Sequence, residues 1–221
     1  MFVKDYMTRH PVMIDPSVSM VEVQSIMAES RFRHLPVVEK GKRLAGLITR
    51  QRLRVSAADL GSLNVWEITR FLSDLRVEDV MVKCRDVMTI DPDAPIEEAA
   101  QLMVVNEIGC LPVLEDDVVV GIITQADMLI QLTTLLGFET PGMRATMRVP
   151  DRVGEAAKIT GAIAEQGWGI WVIGSVPTPK HPGYCDVVVK VCGMSKDELT
   201  AVLKQIPEQE LVDIRETTYH S

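Results

Sequence analysis

The sequence predicts an α/β protein of the α+β type, in which a duplicated strand–helix–strand–strand–helix unit precedes a third unit of different pattern. The duplication is visible in two Leu-Pro strands that lie 76 positions apart (112 − 36), at Pro36 and Pro112. The Asp-Pro pairs at Asp15 and Asp91 share that offset, and a Gly-hydrophobic-hydrophobic-Thr segment follows each strand. Repeated units of this kind bury their apolar faces against each other. The cleft between two similar halves is a common place for a small ligand.

Local patterns justify the elements of both copies. Ser19 and Glu22 have the spacing of a capping box, and Pro95 suits the first turn of the corresponding helix in the second copy. Closing helices are expected from about Gln51 and about Ala126. The predicted strands are residues 12–14, 35–38 and 44–48 in the first copy and 87–90, 111–114 and 118–123 in the second.

The last part of the chain follows a different order of elements. Apolar residues recur at helical spacing from Ala156, and Ser195 with Glu198 forms a second capping box before an apolar helix. The predicted strands are residues 146–149, 170–176, 185–192 and 211–214. The resulting order is βαββαβ, a ferredoxin-like unit.

These elements divide the chain into five segments. The segment between the repeats is too apolar for a free linker, and we expect it to be partly helical and packed on the pair. A Gly- and Pro-containing stretch marks the boundary before the last unit. The predicted segments are repeat one at 1–55, the packed segment at 56–76, repeat two at 77–136, the linker at 137–142 and the last unit at 143–219.

Composition narrows the class of protein. Apolar residues make up 47% of the 221 residues and charged residues 24%, as in soluble globular proteins. The formal net charge of −8 argues against general binding to nucleic acid or to an anionic membrane. We find no stretch long enough to cross a bilayer and no signal-peptide pattern, and the four cysteines form no CxxC pair. The expectation is a cytoplasmic protein with free thiols.

The repeat resembles a pair of CBS domains. The motifs that carry the resemblance are the Leu-Pro-Val strand and the Gly-hydrophobic-hydrophobic-Thr-x-x-Asp strand end, duplicated in register over roughly residues 1–136. The last unit resembles an ACT domain through Val149-Pro150-Asp151-Arg152-Val153-Gly154 and Gly167-Trp168-Gly169-Ile170. The combined order is similar to AcuB-type acetoin-utilisation proteins, which implies a regulator and not a catalyst.

The CBS resemblance implies an adenine nucleotide between the repeats: AMP, ADP, ATP or S-adenosylmethionine. Thr124 and Asp127 match the family positions for phosphate or ribose contact and for the ribose hydroxyls. Ile108 and Thr89 complete the expected nucleotide-binding residues of this repeat. Asp127 has an alternative role as a helix-start carboxylate, which is favoured there on structural grounds alone.

The first repeat lacks this carboxylate, because Arg52 stands at the position of Asp127 and cannot accept a hydrogen bond. It carries instead Arg31, Arg33 and His34 before its Leu-Pro strand. The resemblance implies that this edge faces phosphates held by the other repeat, so we predict one nucleotide per chain. The alternative for the three basic residues is a solvated strand edge.

The ACT resemblance implies a second ligand, often an amino acid, near the first strand–helix turn. Asp151, Arg152 and Gly154 occupy that turn, where helix N–H groups suit a carboxylate. The alternative is a dimerisation module without a ligand.

The sequence contains no GxSxG, P-loop or HExxH motif, so it predicts no catalytic residue, and it offers no metal-ligand spacing. Our hypothesis is a homodimeric sensor that regulates an unknown protein, in acetoin or central carbon metabolism if the AcuB resemblance holds. Two alternatives stay open: a structural assembly module, and an unrecognised enzyme acting on a small acid.

Overall fold

The structure is a computed structural model, and it describes residues 1–53 and 74–217. The chain divides into two compact units, Met1–Leu129 and Ile130–Ser221. The expected closing helix of the first repeat begins as a turn at residues 50–53, and its remainder lies outside the described residues. The inter-repeat segment also lies outside them except for residues 74–76. Of these, Leu75 packs against the core of the first repeat.

The first unit contains the elements of both repeats. In the first repeat the structure describes helix α1 (Val3–Tyr6), strand β1 (Thr8–Arg9), helix α2 (Met20–Glu29) and strands β2 (His34–Val38) and β3 (Leu44–Thr49). In the second it describes helix α3 (Val77–Val80), strand β4 (Val82–Lys83), helix α4 (Ile96–Val105), strands β5 (Cys110–Glu115) and β6 (Val118–Thr124), and helix α5 (Gln125–Leu135), which continues into the second unit. Short 3-10 turns lie at Lys40–Lys42 and Cys84–Asp86.

The two repeats exchange their first strands. The three-stranded sheets have the orders β2-β3-β4 and β1-β6-β5, so each sheet contains a strand from the start of the other repeat. Val3 of α1 is buried in the core of the second repeat, and Val77 of α3 in that of the first. The predicted segments 1–55 and 77–136 assign β1 to the first repeat and β4 to the second, whereas each strand pairs in the sheet of the other repeat. The two repeats therefore depend on each other for their sheets.

The helices begin close to where the sequence predicts. The Glu22 N–H donates to the Ser19 hydroxyl at 3.3 Å, so Ser19 caps α2. Pro95 is the residue before the first turn of α4, one position earlier than its predicted place. The buried face of α2 (Met20, Val23 and Met27) packs against the inner residues of β2 and β3.

The second unit has the predicted βαββαβ order. Its elements are β7 (Gly142–Pro150), α6 (Glu155–Glu165), β8 (Gly169–Pro177), β9 (Tyr184–Cys192), α7 (Lys196–Leu203) and β10 (Glu210–Thr217). They form an antiparallel sheet in the order β10-β7-β9-β8. Buried residues of β7 and β9 form the core with Ile159 and Ile163 of α6 and Leu199 and Leu203 of α7. Within the described residues, no helix has the length and apolar character needed to span a bilayer.

Candidate functional site

Two cavities of similar size lie at the ends of the central strands in the first unit. The first, of about 380 Å³, is lined by Thr124 at the end of β6 and by Arg31, Arg33 and His34 from the start of β2. We call it the Thr124 cavity. The second, of about 370 Å³, is lined by Thr49 at the end of β3, and we call it the Thr49 cavity. Each cavity thus combines a threonine strand end with residues of the other repeat.

Asp127 and Thr124 hold each other at the start of α5. The Thr124 N–H and hydroxyl donate to Asp127 Oδ2 at 2.8 and 2.7 Å. The Asp127 N–H lies 3.4 Å from the Thr124 hydroxyl oxygen. This is the reciprocal bonding of a capping box, so Asp127 does have the helix-start role. Both bonds fall on one carboxylate oxygen, and the other oxygen, Oδ1, is the acceptor that the nucleotide hypothesis requires.

The arginines reach the Thr124 cavity through a left-handed turn after α2. Arg31 has φ of 56°, and Glu107, its counterpart before β5, has φ of 53°, so the repeats share this backbone turn but not its charge. Arg31 and Arg33 are exposed, and among residues 1–53 and 74–217 no ion pair to either is seen. Their positive charges are therefore available to an anion in the cavity.

His34 differs from the basic residue that the sequence predicts. Burial lowers the pKa of its imidazole, and the neighbouring charge of Arg33 lowers it further. The ring lies against the backbone of Gly109, where a Cβ would be 3.1 Å from His34 Nε2. His34 is therefore a neutral hydrogen-bonding group near pH 7, and the two arginines supply the charge of this edge. Sequence analysis did not single out Gly109, which lines both cavities.

The Thr49 cavity has different chemistry. Arg33 and His34 line both cavities, and the wall of this one adds Arg50 and the carboxylates of Asp86 and Glu107. At the position equivalent to Asp127, the Arg52 N–H donates to the carbonyl of Thr49 at 2.9 Å, and among residues 1–53 and 74–217 no carboxylate is seen to cap this strand end. Acidic side chains and the missing ribose acceptor make this cavity less suited to a nucleotide.

Three predicted residues are not among those that line the Thr124 cavity: Asp127, Ile108 and Thr89. Asp127 is linked to this cavity through its hydrogen bonds to the lining residue Thr124. Ile108 lines the Thr49 cavity instead. Thr89 is half-buried, and in the described part of the chain it lines neither of these two cavities. Burial raises the pKa of the Cys110 thiol to about 12, so this cysteine of the Thr49 cavity is not a thiolate at neutral pH.

In the second unit, the Arg152 guanidinium forms ion pairs with two carboxylates of the same chain. Its Nε donates to Glu155 Oε1 at 2.6 Å, and a second guanidinium nitrogen pairs with Glu208. Asp151 is exposed. Gly154 has φ of +94°, a left-handed backbone conformation that favours glycine. The structure thus gives the guanidinium internal partners where the ACT resemblance implies an amino-acid ligand.

Glu155 is the buried residue of this turn that sequence analysis missed. Its side chain is 2% exposed and accepts from Lys158 Nζ at 2.8 Å and from Gln209 Nε2 at 2.7 Å, in addition to Arg152. The hydrogen bonds from Lys158, Gln209 and Arg152, in that order of size, lower the pKa of Glu155 to about 2. The sequence signal that could have identified Glu155 is a glutamate directly after a glycine at the predicted start of a helix.

This depressed pKa predicts acid sensitivity. The charged form of Glu155 stabilises the fold, so its contribution is complete above its usual pKa of 4.5 and is lost as the pH falls toward 2. Glu155→Gln should flatten the fall in melting temperature between those pH values, as measured by circular dichroism. Glu165→Gln, at an exposed site on the same helix, is the control. Parallel curves for wild type and Glu155→Gln would contradict the assignment.

Comparison with known proteins adds the family. The CBS-domain model matches residues 3–58 and 77–133, just over half of the 221 residues. The chain belongs to the CBS-domain family. The two matched stretches together supply the walls of both cavities. The ACT resemblance of the second unit stays a prediction.

Solved CBS structures are similar to the first unit. An AcuB structure from Vibrio cholerae, named for acetoin utilization, is 31% identical, with a TM-score of 0.53 over 62% of this chain and 94% of that chain. The CBS-domain pair of protein MJ0100, solved with 5′-methylthioadenosine and S-adenosyl-L-methionine, is 26% identical, with a TM-score of 0.50 over 61% and 97%.

Two curated relatives match a little over half of this chain. Uncharacterized protein MJ1225 of Methanocaldococcus jannaschii is 35% identical over 134 residues, which are 58% of this chain and 45% of the relative. A homoserine O-acetyltransferase of Methanohalobium evestigatum is 32% identical over 130 residues, 58% of this chain and 23% of the enzyme. The chain therefore spans less than half the length of these relatives.

Proposed function

We propose that the chain is a homodimeric regulatory sensor, without catalytic activity, that binds one adenosine-containing ligand in the Thr124 cavity. The observation that carries the proposal is that this cavity joins two exposed arginines of one repeat to Thr124 of the other, whose N–H is bonded to the Asp127 carboxylate. The ligand class is AMP, ADP, ATP or S-adenosylmethionine. The adenosine compounds in the MJ0100 structure support this class.

Each part of such a ligand has a matching group. A carboxylate that uses one oxygen for its helix cap keeps the other for ribose hydroxyls, and Asp127 has this arrangement. Arg31 and Arg33 supply planar, permanently charged donors that suit phosphate or carboxylate oxygens. The cavity volume of about 380 Å³ falls within the usual range of 300–1,000 Å³ for small-molecule sites.

The asymmetry of the two cavities supports one ligand per chain. The Thr124 cavity has Arg31 and Arg33 in its wall and a carboxylate bonded to its strand end. The Thr49 cavity shares Arg33, but it has Arg52 at the position of that carboxylate and two carboxylates in its wall. Because phosphates and wall carboxylates repel each other, a nucleotide gains less in the Thr49 cavity.

We further propose that the second unit relays ligand binding to a partner protein. The likeness to the Vibrio cholerae AcuB structure supports a role in acetoin or central carbon metabolism. Exposed apolar side chains on α5 support the homodimer, since Leu129, Ile130 and Leu132 each expose at least half of their surface. Because the carboxylates of Glu155 and Glu208 already hold Arg152, the proposed ligand is the adenosine compound and not an amino acid.

Calorimetric titration of AMP, ADP, ATP and S-adenosylmethionine tests the site. Asp127→Asn should weaken binding about ten- to a hundredfold, since a hydrogen bond to a charged group contributes about 1.5–3 kcal/mol. Asparagine is chosen because its carbonyl oxygen still accepts the cap bond from Thr124, which keeps the start of α5.

Arg52→Ala is the matched control, because Arg52 holds the equivalent position in the other repeat. It should leave the affinity within about twofold, since Arg52 does not line the Thr124 cavity. Equal affinities of wild type and Asp127→Asn would refute the assignment. Failure of all four compounds to bind or to raise the melting temperature would favour the structural assembly module.

A further inference from the structure

A buried lysine lies in the middle of the C-terminal sheet. Lys190 of β9 is 1% exposed, and its ammonium donates to the backbone carbonyl of Gly137. Burial lowers the pKa of this ammonium. Placing a charged group in the interior is unfavourable, and an apolar side chain of the same length would avoid that desolvation. The hydrogen bond to Gly137 offsets part of this cost.

The carbonyl that Lys190 binds belongs to the end of helix α5. Gly137 follows the last turn with φ of +65°, its N–H donates to the Thr134 carbonyl at 2.9 Å, and the Phe138 N–H donates to the Thr133 carbonyl at 2.9 Å. These bonds form a glycine C-cap of the Schellman type. The carbonyl end of a helix attracts cations, so the ammonium stabilises this end of α5.

Packing at this point leaves little freedom. A Cβ on Gly137 would lie 2.8 Å from Val172 Cγ2 of β8 and 3.1 Å from Lys190 Cδ. Contacts this short exclude a side chain. The end of α5 is therefore held against two neighbouring strands, by one hydrogen bond and by close contact.

The first turn of the same helix carries Asp127. We propose that Lys190 is a positioning residue that couples occupancy of the Thr124 cavity to strand β9, by fixing the last turn of α5 to the sheet. The inference rests on the proposed function, because it requires a ligand at Asp127. A ligand that binds this carboxylate stabilises the first turn, and an 11-residue helix transmits that stabilisation along its length as one hydrogen-bonded element.

Hydrogen exchange on the full chain tests the coupling. AMP, ADP, ATP and S-adenosylmethionine are first titrated by calorimetry, and those that bind are used at saturation. In the wild type, amides of residues 184–192 should exchange about fivefold more slowly with ligand, the lower end of usual coupling strengths. Lys190→Met keeps an unbranched side chain but removes the donor, so this slowing should disappear. Lys204→Met, at an exposed site of the same unit, should retain it.

Gly137→Ala is the second variant and should also abolish the slowing, because its Cβ displaces the helix end from β8. It keeps the test valid if Lys190→Met does not fold. Ligand binding without slower exchange at residues 184–192 would overturn the coupling, and undiminished slowing in Lys190→Met would overturn the role of Lys190. A flat titration with all four compounds would instead contradict the proposed function, and the inference with it.

Discussion

Replacing Gly46 with alanine will destabilise the first unit by about 3 kcal/mol, at the upper end of the usual penalty for overpacking. A Cβ at Gly46 would collide with the backbone carbonyl of Val82 and lie 2.7 Å from Met81 Sδ. Val82 belongs to the exchanged strand β4, which pairs with β3 at Gly46 itself. Because a backbone carbonyl cannot rotate away as a side chain does, the strand pairing has to shift.

The matched control for this substitution is Gly161→Ala. Gly161 lies within α6 with nothing near its Cβ position, so alanine should stabilise the protein by about 1 kcal/mol through helix propensity. Urea denaturation followed by circular dichroism measures both changes. If Gly46→Ala were as stable as the wild type, the close approach of β4 to β3 would be wrong.

Replacing both Arg31 and Arg33 with glutamine will weaken ATP binding by about a hundredfold or more. Each charge-assisted hydrogen bond contributes at least about 1.5 kcal/mol, and two together give about 3 kcal/mol. The loss should be largest for ATP, smaller for AMP and smallest for 5′-methylthioadenosine, which has no phosphate. Calorimetric titration of the three compounds measures this order.

Arg50→Gln is the control for this pair, since Arg50 lines the Thr49 cavity and not the Thr124 cavity. It should leave ATP affinity nearly unchanged. Equal losses for ATP and 5′-methylthioadenosine would show that the arginines act through folding and not through phosphate contact. A larger loss in Arg50→Gln than in the double variant would place the ligand in the other cavity.

Much of the fold follows from the sequence because its signals are local. The capping residue Ser19, the two Leu-Pro strands and the βαββαβ order of the last unit all depend on neighbouring residues, and the structure agrees with them. The exchange of β1 and β4 has no such signal. Val3 and Val77 each fill the core of the other repeat. These contacts join residues that are far apart in the sequence, so no local pattern indicates them.

The site was predictable to the extent that it follows the repeat. The repeat placed Thr124 75 positions after Thr49 and Glu107 76 positions after Arg31, and the structure brings Arg31 and Thr124 to one cavity. Properties that depend on burial were not predictable. The neutral state of His34 and the internal pairing of Arg152 with Glu155 arise from neighbours that only the folded chain provides.

A crystal structure of the protein with bound ATP tests directly whether the Thr124 cavity is the nucleotide site. We expect one nucleotide per chain in this cavity, with ribose hydroxyls on the Asp127 carboxylate and phosphates within hydrogen-bond distance of Arg31 and Arg33. A nucleotide in the Thr49 cavity, or one in the Thr124 cavity with both arginines turned away from its phosphates, would contradict this expectation.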